Sequence, residues 1–409
     1  MKRSAAAVTA QLAALEQSRQ LRRRRCIGGY ASTGSILEPL VDGHRLVNFC
    51  SNDYLGIAGD VRLAAAMQAA AANWGTGAGA AHLVTGHTHE HHALEEELAA
   101  FTGREAALLF STGYMANVGV ISALAARGEV VLQDRFNHAS LLDGARLSGA
   151  RLQRYAHADA PDAARLFEGA EGKATFIGTD GVFSMDGDIA PLPQLAALAA
   201  QHDAWLLVDD AHGLGTLGAQ GGGCLELAGL DATQVPLLVG TLGKAFGSFG
   251  AFVAGPREVI DLVLQRARSY IYTTAMPPAI AAATRASLRI VIEEGWRREQ
   301  LASLITRFRS GAAQRGLPLL PSTTAIQPIL LPGAARCMAA SQYLLERGFL
   351  VSAIRHPTVP AGTERLRVTM SAGHTVQQVE SLLDALQDCI ALQDCSTQPE
   401  GAVPPEGDA

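Results

Sequence analysis

The chain of 409 residues is 48% hydrophobic and 18% charged. This is the composition of a globular protein long enough for two domains, since single cores rarely grow past about 300 residues. A net charge of −6 argues against nucleic acid as the main partner, and no apolar run reaches the roughly 18 residues of a membrane span. Six cysteines without paired metal-type or dense disulfide spacing point to a reducing cytoplasm.

The chain opens with "MKRSAAAVTAQLAALEQSRQ", which has no continuous apolar stretch of the secretory kind and reads as an amphipathic helix. The run Arg22 to Arg25 reads as a solvated basic face. Residues 1–45 are expected to form an arm that packs with a smaller domain. Residues 46–283 carry short apolar runs, "AALLF", "VVLQ", "TFIG", "WLLVD" and "PLLVG", alternating with helical patterns such as "HHALEEELAAF" and "PLPQLAALAAQH". That alternation predicts an α/β domain around a mostly parallel sheet covered on both faces. From Thr284 the pattern changes to one long helix, "SLRIVIEEGWRREQLASLITRF", then short strands "AIQPILLP" and "RLRVTMS" and closing helices. We expect a smaller α+β domain over 284–395 and a disordered tail, rich in Pro, Gly and acid, over 396–409.

Ligands of such sheets bind beyond the carboxyl ends of the strands. There the sequence places "STGYMAN", "DRFNHAS", "TDGVFSMDGD", "DDAHGLG" and "TLGKAFG". The chain has only three lysines, Lys2, Lys173 and Lys244, and Lys244 stands in a glycine-rich turn, "GTLGKAFGSFG". Arginine does not lose its proton, whereas a neutral lysine is a nucleophile and a base. Glycines let the backbone approach an aldehyde cofactor, and Thr241 offers a hydroxyl to a phosphate. Asp209 ends "WLLVD"; a carboxylate there would keep a pyridine nitrogen protonated and make its ring an electron sink, as pyridoxal phosphate requires. His138 is placed to lie against such a ring. Gly113 and Tyr114 open a helix suited to an anion, and Ser184 and His212 suit the ring hydroxyl.

Two other patterns carry less. "GTGAGAAHLVTG" imitates a dinucleotide loop but follows no apolar strand and precedes no suitable acid. "HTHEHH" puts His87 and His91 one helical turn apart, as metal ligands can be. It is not HExxH and has no partner cysteines, so no metal is assigned and a solvated or dimer-facing helix is expected.

With these residues in place, the chain from about Arg22 to Leu392 resembles the α-oxoamine synthases, through "NFCSNDYLG", "GTGAGAAHLVTG", "NHAS", "TDGVFSMDGD", "VDDAHGLG" and "TLGKAFG". The resemblance implies the fold type I pyridoxal-phosphate architecture of aspartate aminotransferase, with a seven-stranded, mostly parallel sheet in the large domain. It implies a homodimer with shared active sites. Lys244 would hold the cofactor and move the substrate proton, Asp209 would pair with the ring nitrogen, and His138 would stack on the ring. Gly113, Tyr114, Thr241, Ser184 and His212 would lie at the cofactor, and Thr273 and Thr274 would reach the neighbouring subunit's phosphate. Asn52 and Arg355 would place the amino acid, and Arg22 and Thr358 the acyl substrate. Within the family, "AIRHPTVPAGTERLRVTMSAGH" (Ala353 to His374) resembles the member that joins L-alanine to a pimeloyl thioester, carried by coenzyme A or an acyl carrier protein. A glycine-using relative is the rival. Two departures stand out: Ala81-His82 replaces the family's frequent Ser-Arg, and Asp180 replaces a glutamate.

Overall fold

The computed structural model of the protein describes residues 4–31, 35–170 and 173–397. Its centre is a seven-stranded sheet. In chain order the strands are β1 (Ala106–Phe110), β2 (Glu129–Asp134), β3 (Arg151–Tyr155), β4 (Lys173–Asp180), β5 (Trp205–Asp209), β6 (Leu237–Thr241) and β7 (Ala251–Gly255). Across the sheet they run β1-β7-β6-β5-β4-β2-β3. Only β7 is antiparallel to its neighbours, because it returns directly from β6 through the turn that carries Lys244. The fold class read from the sequence is therefore observed. Two strands escape the apolar-run signal. β3, "RLQRY", is a partly exposed edge, and β7, "AFVAG", is short and rich in small residues.

Successive strand residues point to opposite faces, and here each face has its own core. Leu109, Val130, Leu132, Ile177, Leu206, Val208 and Leu238 feed one. Leu108, Val131, Phe176, Leu207, Val239 and Val253 feed the other. The first core continues without a break into the C-terminal half, through Phe308, Leu366, Val368 and Leu382.

That half is built on a three-stranded antiparallel sheet, Ile326–Leu330, Arg365–Thr369 and Ser352–Ile354 in spatial order. Helices Trp296–Gln314, Ala334–Glu346 and Val376–Thr397 belong to it. Val47–Asn48 pairs in parallel with Phe349–Leu350, so the chain just after the expected arm is tied to this half. The single long helix expected after Thr284 is two, Pro278–Glu293 and Trp296–Gln314, separated at Glu294 and Gly295. The first of these packs on Val61–Trp74 and His89–Phe101. The expected boundary at 283/284 thus falls inside a helix that sits on the large-sheet side, and we propose to place it at Gly295 instead.

Helix Ala5–Gln17 is capped by Ser4 but buries none of its residues, and its alanine-rich sequence spreads apolar side chains around the helix, so the amphipathic reading is not met. The closing helix runs to Thr397, and the expected disordered tail otherwise lies outside the described residues. Among the described residues no helix is long and apolar enough to cross a membrane.

Candidate active site

The register between β4 and β5 sets Asp180 opposite Asp209, so two carboxylates arrive side by side at the carboxyl edge of the sheet. Asp209 is 6% exposed. It accepts hydrogen bonds from Asn117 Nδ2 at 2.6 Å and from the Ala211 amide at 3.1 Å. Asp180 accepts from the His138 amide at 2.7 Å. Burial, with the charge of Asp209 added, pushes the Asp180 carboxyl well above the usual carboxylate range.

Lys244 comes in from the next strand. The turn after β6 closes on itself through Leu242 N–H to Gly250 O at 2.9 Å and Gly247 N–H to Lys244 O at 2.8 Å. The turn is pinned from below by Ser248 Oγ against Thr284 Oγ1 at 2.6 Å. Lys244 Nζ lies 2.9 Å from His212 Nε2. His212 Nδ1 lies 2.6 Å from the Tyr54 hydroxyl, which donates to Asn52 Oδ1 at 3.1 Å. With the one Tyr54 proton on Asn52, His212 Nδ1–H donates to the Tyr54 oxygen and Nε2 is left to accept from Lys244. Burial, followed by the Lys244 charge, holds His212 well below its ordinary value and so keeps it neutral. Burial also pulls the Lys244 amine down to about 8, against the pull of Asp209 and Asp180. A lysine at that value is neutral above about pH 8 and keeps a usable neutral fraction somewhat below it, which both covalent attachment and proton abstraction require.

His138 caps helix Ala139–Ser148, its ring 2.7 Å from Ser140 Oγ, and Asn117 Nδ2 donates to that hydroxyl at 2.9 Å. One amide therefore ties the Asp209 carboxylate to the histidine. Gly113 and Tyr114 open helix Gly113–Leu124, which Thr112 caps, and Tyr114 donates to Asp143 at 2.5 Å. Thr241 ends β6 and donates to Gly250 O at 3.2 Å. Thr273 and Thr274 line a small cavity with Ser111 and Met115, beyond the end of β1. Ser184 and Thr358 border a cavity of about 380 Å³ with Arg135, Phe136 and His356. This volume is in the range of small-molecule sites.

Two expected residues lie elsewhere. Arg22 is exposed on the N-terminal arm. The Arg355 guanidinium donates to the carbonyls of Arg19 at 2.5 Å and Leu21 at 3.2 Å, clasping that arm. The guanidinium beside Asn52 is that of Arg367, 3.3 Å from Asn52 Oδ1, with its Nε donating to Ser184 O at 2.6 Å. Arg367, Asn117, Tyr54 and His157 also stand around the site and were not read from the sequence. Arg367 was readable from its strand, since "RLRVT" alternates and Arg365 and Arg367 share one face. His157 has no such signal. It bridges Asp134 at 3.0 Å and Asp188 at 2.9 Å, tying the loop before His138 to the loop after Ser184. Burial opposes its charge, but the two carboxylates outweigh it and raise His157 to about 10.

The model of the family "Aminotransferase class I and II" matches residues 44–386, and the chain belongs to that family. Solved structures agree: an SPT structure with PLP superposes with a TM-score of 0.88 at 31% identity, covering 94% of this chain and 97% of that one. Within the family the similarity is narrower. A protein of Alkalilimnicola ehrlichii is 61% identical over 84% of this chain and 88% of its own, and one of Thioalkalivibrio sulfidiphilus 57% over 90% and 95%. Both are named 8-amino-7-oxononanoate synthase. A solved structure of that name from Francisella tularensis has a TM-score of 0.76 at 30% identity, covering 85% of this chain and 99% of that one.

Proposed function

We propose that the chain is a pyridoxal-phosphate-dependent acyltransferase that condenses L-alanine with a pimeloyl thioester. The products are 8-amino-7-oxononanoate, carbon dioxide and the free thiol, a step of biotin biosynthesis. The observation that carries this is Lys244, a half-buried amine lowered to about 8 beside a neutral histidine and within the field of two aspartates, in a chain so similar to the synthases named above.

The donor set fits pyridoxal phosphate. Asp209, oriented by Asn117 and Ala211, is a buried carboxylate suited to a protonated ring nitrogen. Lys244 supplies the covalent anchor, His138 the ring face, Ser184 a donor at the ring oxygen and His212 a neutral contact beside it. Gly113, Tyr114 and Thr241 supply the phosphate end. Gly113 meets nothing within 4 Å of where a Cβ would sit, so the helix start is open to an anion. When bound, the cofactor draws electron density from the amino-acid Cα. Lys244 removes the Cα proton and later returns one, with His212 accepting its hydrogen bond in between. Arg367, beside Asn52, orients the amino-acid carboxylate by charge and fork geometry. Arg355 acts through the arm it clasps, bringing Arg22 and its neighbours toward the acyl donor. Thr358 lines the cavity for the pimeloyl chain. Thr273 and Thr274 serve the partner's phosphate in a homodimer, for which light scattering should give twice the chain mass.

The test is the absorbance spectrum of the purified protein, before and after L-alanine or glycine. A yellow band that Lys244→Ala loses, and that alanine perturbs at lower concentration than glycine, is expected. A band answering only to glycine moves the chain to a glycine-using relative. A protein that takes up no pyridoxal phosphate removes the mechanism.

A further inference from the structure

The histidines of "HTHEHH" take no part in the chemistry above. His91, which the spacing paired with His87, is fully buried and spent on the fold: its Nε2 lies 2.8 Å from Met276 O, and its Nδ1 lies 3.1 Å from the Thr88 amide. What the turn and helix bring together instead is His87, His92 and Glu95, one ligand atom from each lying within 4.8 Å of the others.

The three are differently prepared. Glu95 sits on helix His89–Phe101 with a side chain 13% exposed, one oxygen accepting from the Leu109 amide at 2.9 Å and the other facing His87 Nε2 at 3.9 Å. His87 turns its Nδ1 to His82 Nδ1 at 3.1 Å. His82 is itself held by stacking on Tyr270, centroids 5.0 Å apart. With His82 as acceptor, His87 Nδ1–H donates and leaves Nε2 with its lone pair toward Glu95, the outer-sphere arrangement that fixes a metal-binding imidazole. His92 lies one turn before Glu95; its side chain is 61% exposed and stands 3.4 Å from the exposed Glu96, a surface contact weak enough for a rotamer change to give up. Zinc bonds of about 2.0–2.2 Å place tetrahedral ligands roughly 3.4 Å apart, a contraction that a rotamer change of His92 supplies.

We propose that His87, His92 and Glu95 form a site for a zinc-class divalent cation, separate from the cofactor site, with one coordination position left to water. Two imidazoles and one carboxylate, without thiolate, suit zinc among the available metals. The bound ion would fasten the short π-helix His82–Gly86 to the helix that follows it. Its neighbour Ala81 bridges to Thr274, so the site adjoins the segment assigned to the phosphate.

The test is calorimetric titration of zinc sulfate into the full-length holoenzyme after chelator dialysis, with X-ray absorption on the loaded protein. One equivalent bound at micromolar or tighter affinity is expected, with nitrogen and oxygen ligands only, and weakened at least tenfold by His92→Ala and by Glu95→Gln. His44→Ala, at an exposed histidine elsewhere, should leave it unchanged. His92→Ala alone decides the matter if Glu95→Gln does not fold. Absence of binding, a sulfur ligand, or a loss below tenfold in His92→Ala overturns the proposal.

Discussion

A half-buried lysine opposes folding at neutral pH, because the folded chain must either shed its proton or carry a charge in a largely desolvated setting. Lys244 has a folded value of about 8, against the ordinary 10.5. Between those values the unfolded chain holds more protons, so the stability of the cofactor-free protein should rise with pH from about 8 to about 10.5 and level off above. Below about 8 both states are protonated and the penalty is full. Urea unfolding of Lys244→Met across this range should show the slope flattened and the stability near pH 7 increased. Much of the site was legible at this scale because single residue types carry the chemistry: a rare lysine among glycines, an aspartate ending an apolar run. The place of Arg367 was readable from its strand but its role was not. Only the fold shows that Arg355 spends its guanidinium on backbone carbonyls while Arg367 stands beside Asn52.

The turn between β6 and β7 is the element on which the rest depends. Gly247 holds a left-handed φ of +59°, and a Cβ there would stand 2.4 Å from the Ala58 amide nitrogen. Ala58 is itself fixed by donating to Asp53 at 3.1 Å, so it has little room to yield. Gly247→Ala should therefore cost about 1–3 kcal/mol of stability and, by displacing Lys244, lower cofactor occupancy; denaturant unfolding and absorbance would check both. Strand ends were readable from sequence, since apolar runs stop where polar clusters begin. The edge strand β3 and the interruption at Gly295 were not. An edge strand lacks the apolar run, and an isolated glycine within a helical pattern signals a break only where tertiary packing turns the chain.

At the scale of the whole molecule, two basic side chains of one strand join the halves. Arg365 pairs with Asp186, and Arg367 reaches Ser184 O, both on the loop after β4. The same loop is held from its other side by His157 through Asp188. Arg365→Ala should loosen the small half while leaving Lys244, Asp209 and His138 in place. The expected result is a KM for the amino acid raised roughly tenfold and an unchanged cofactor spectrum, seen in steady-state kinetics and absorbance. The sequence implied the two halves but not their shared core, because continuity between them is built from residues far apart in the chain.

The exposed helix Ala5–Gln17 is joined to the body by the run Arg22 to Arg25, all exposed, and buries nothing. Such a segment is an open substrate for trypsin. Brief digestion should release the helix as one peptide and leave a trimmed enzyme with its melting temperature nearly intact. Cleavage would also free Arg355 from Arg19 and Leu21, giving back a cation that the uncut protein keeps occupied.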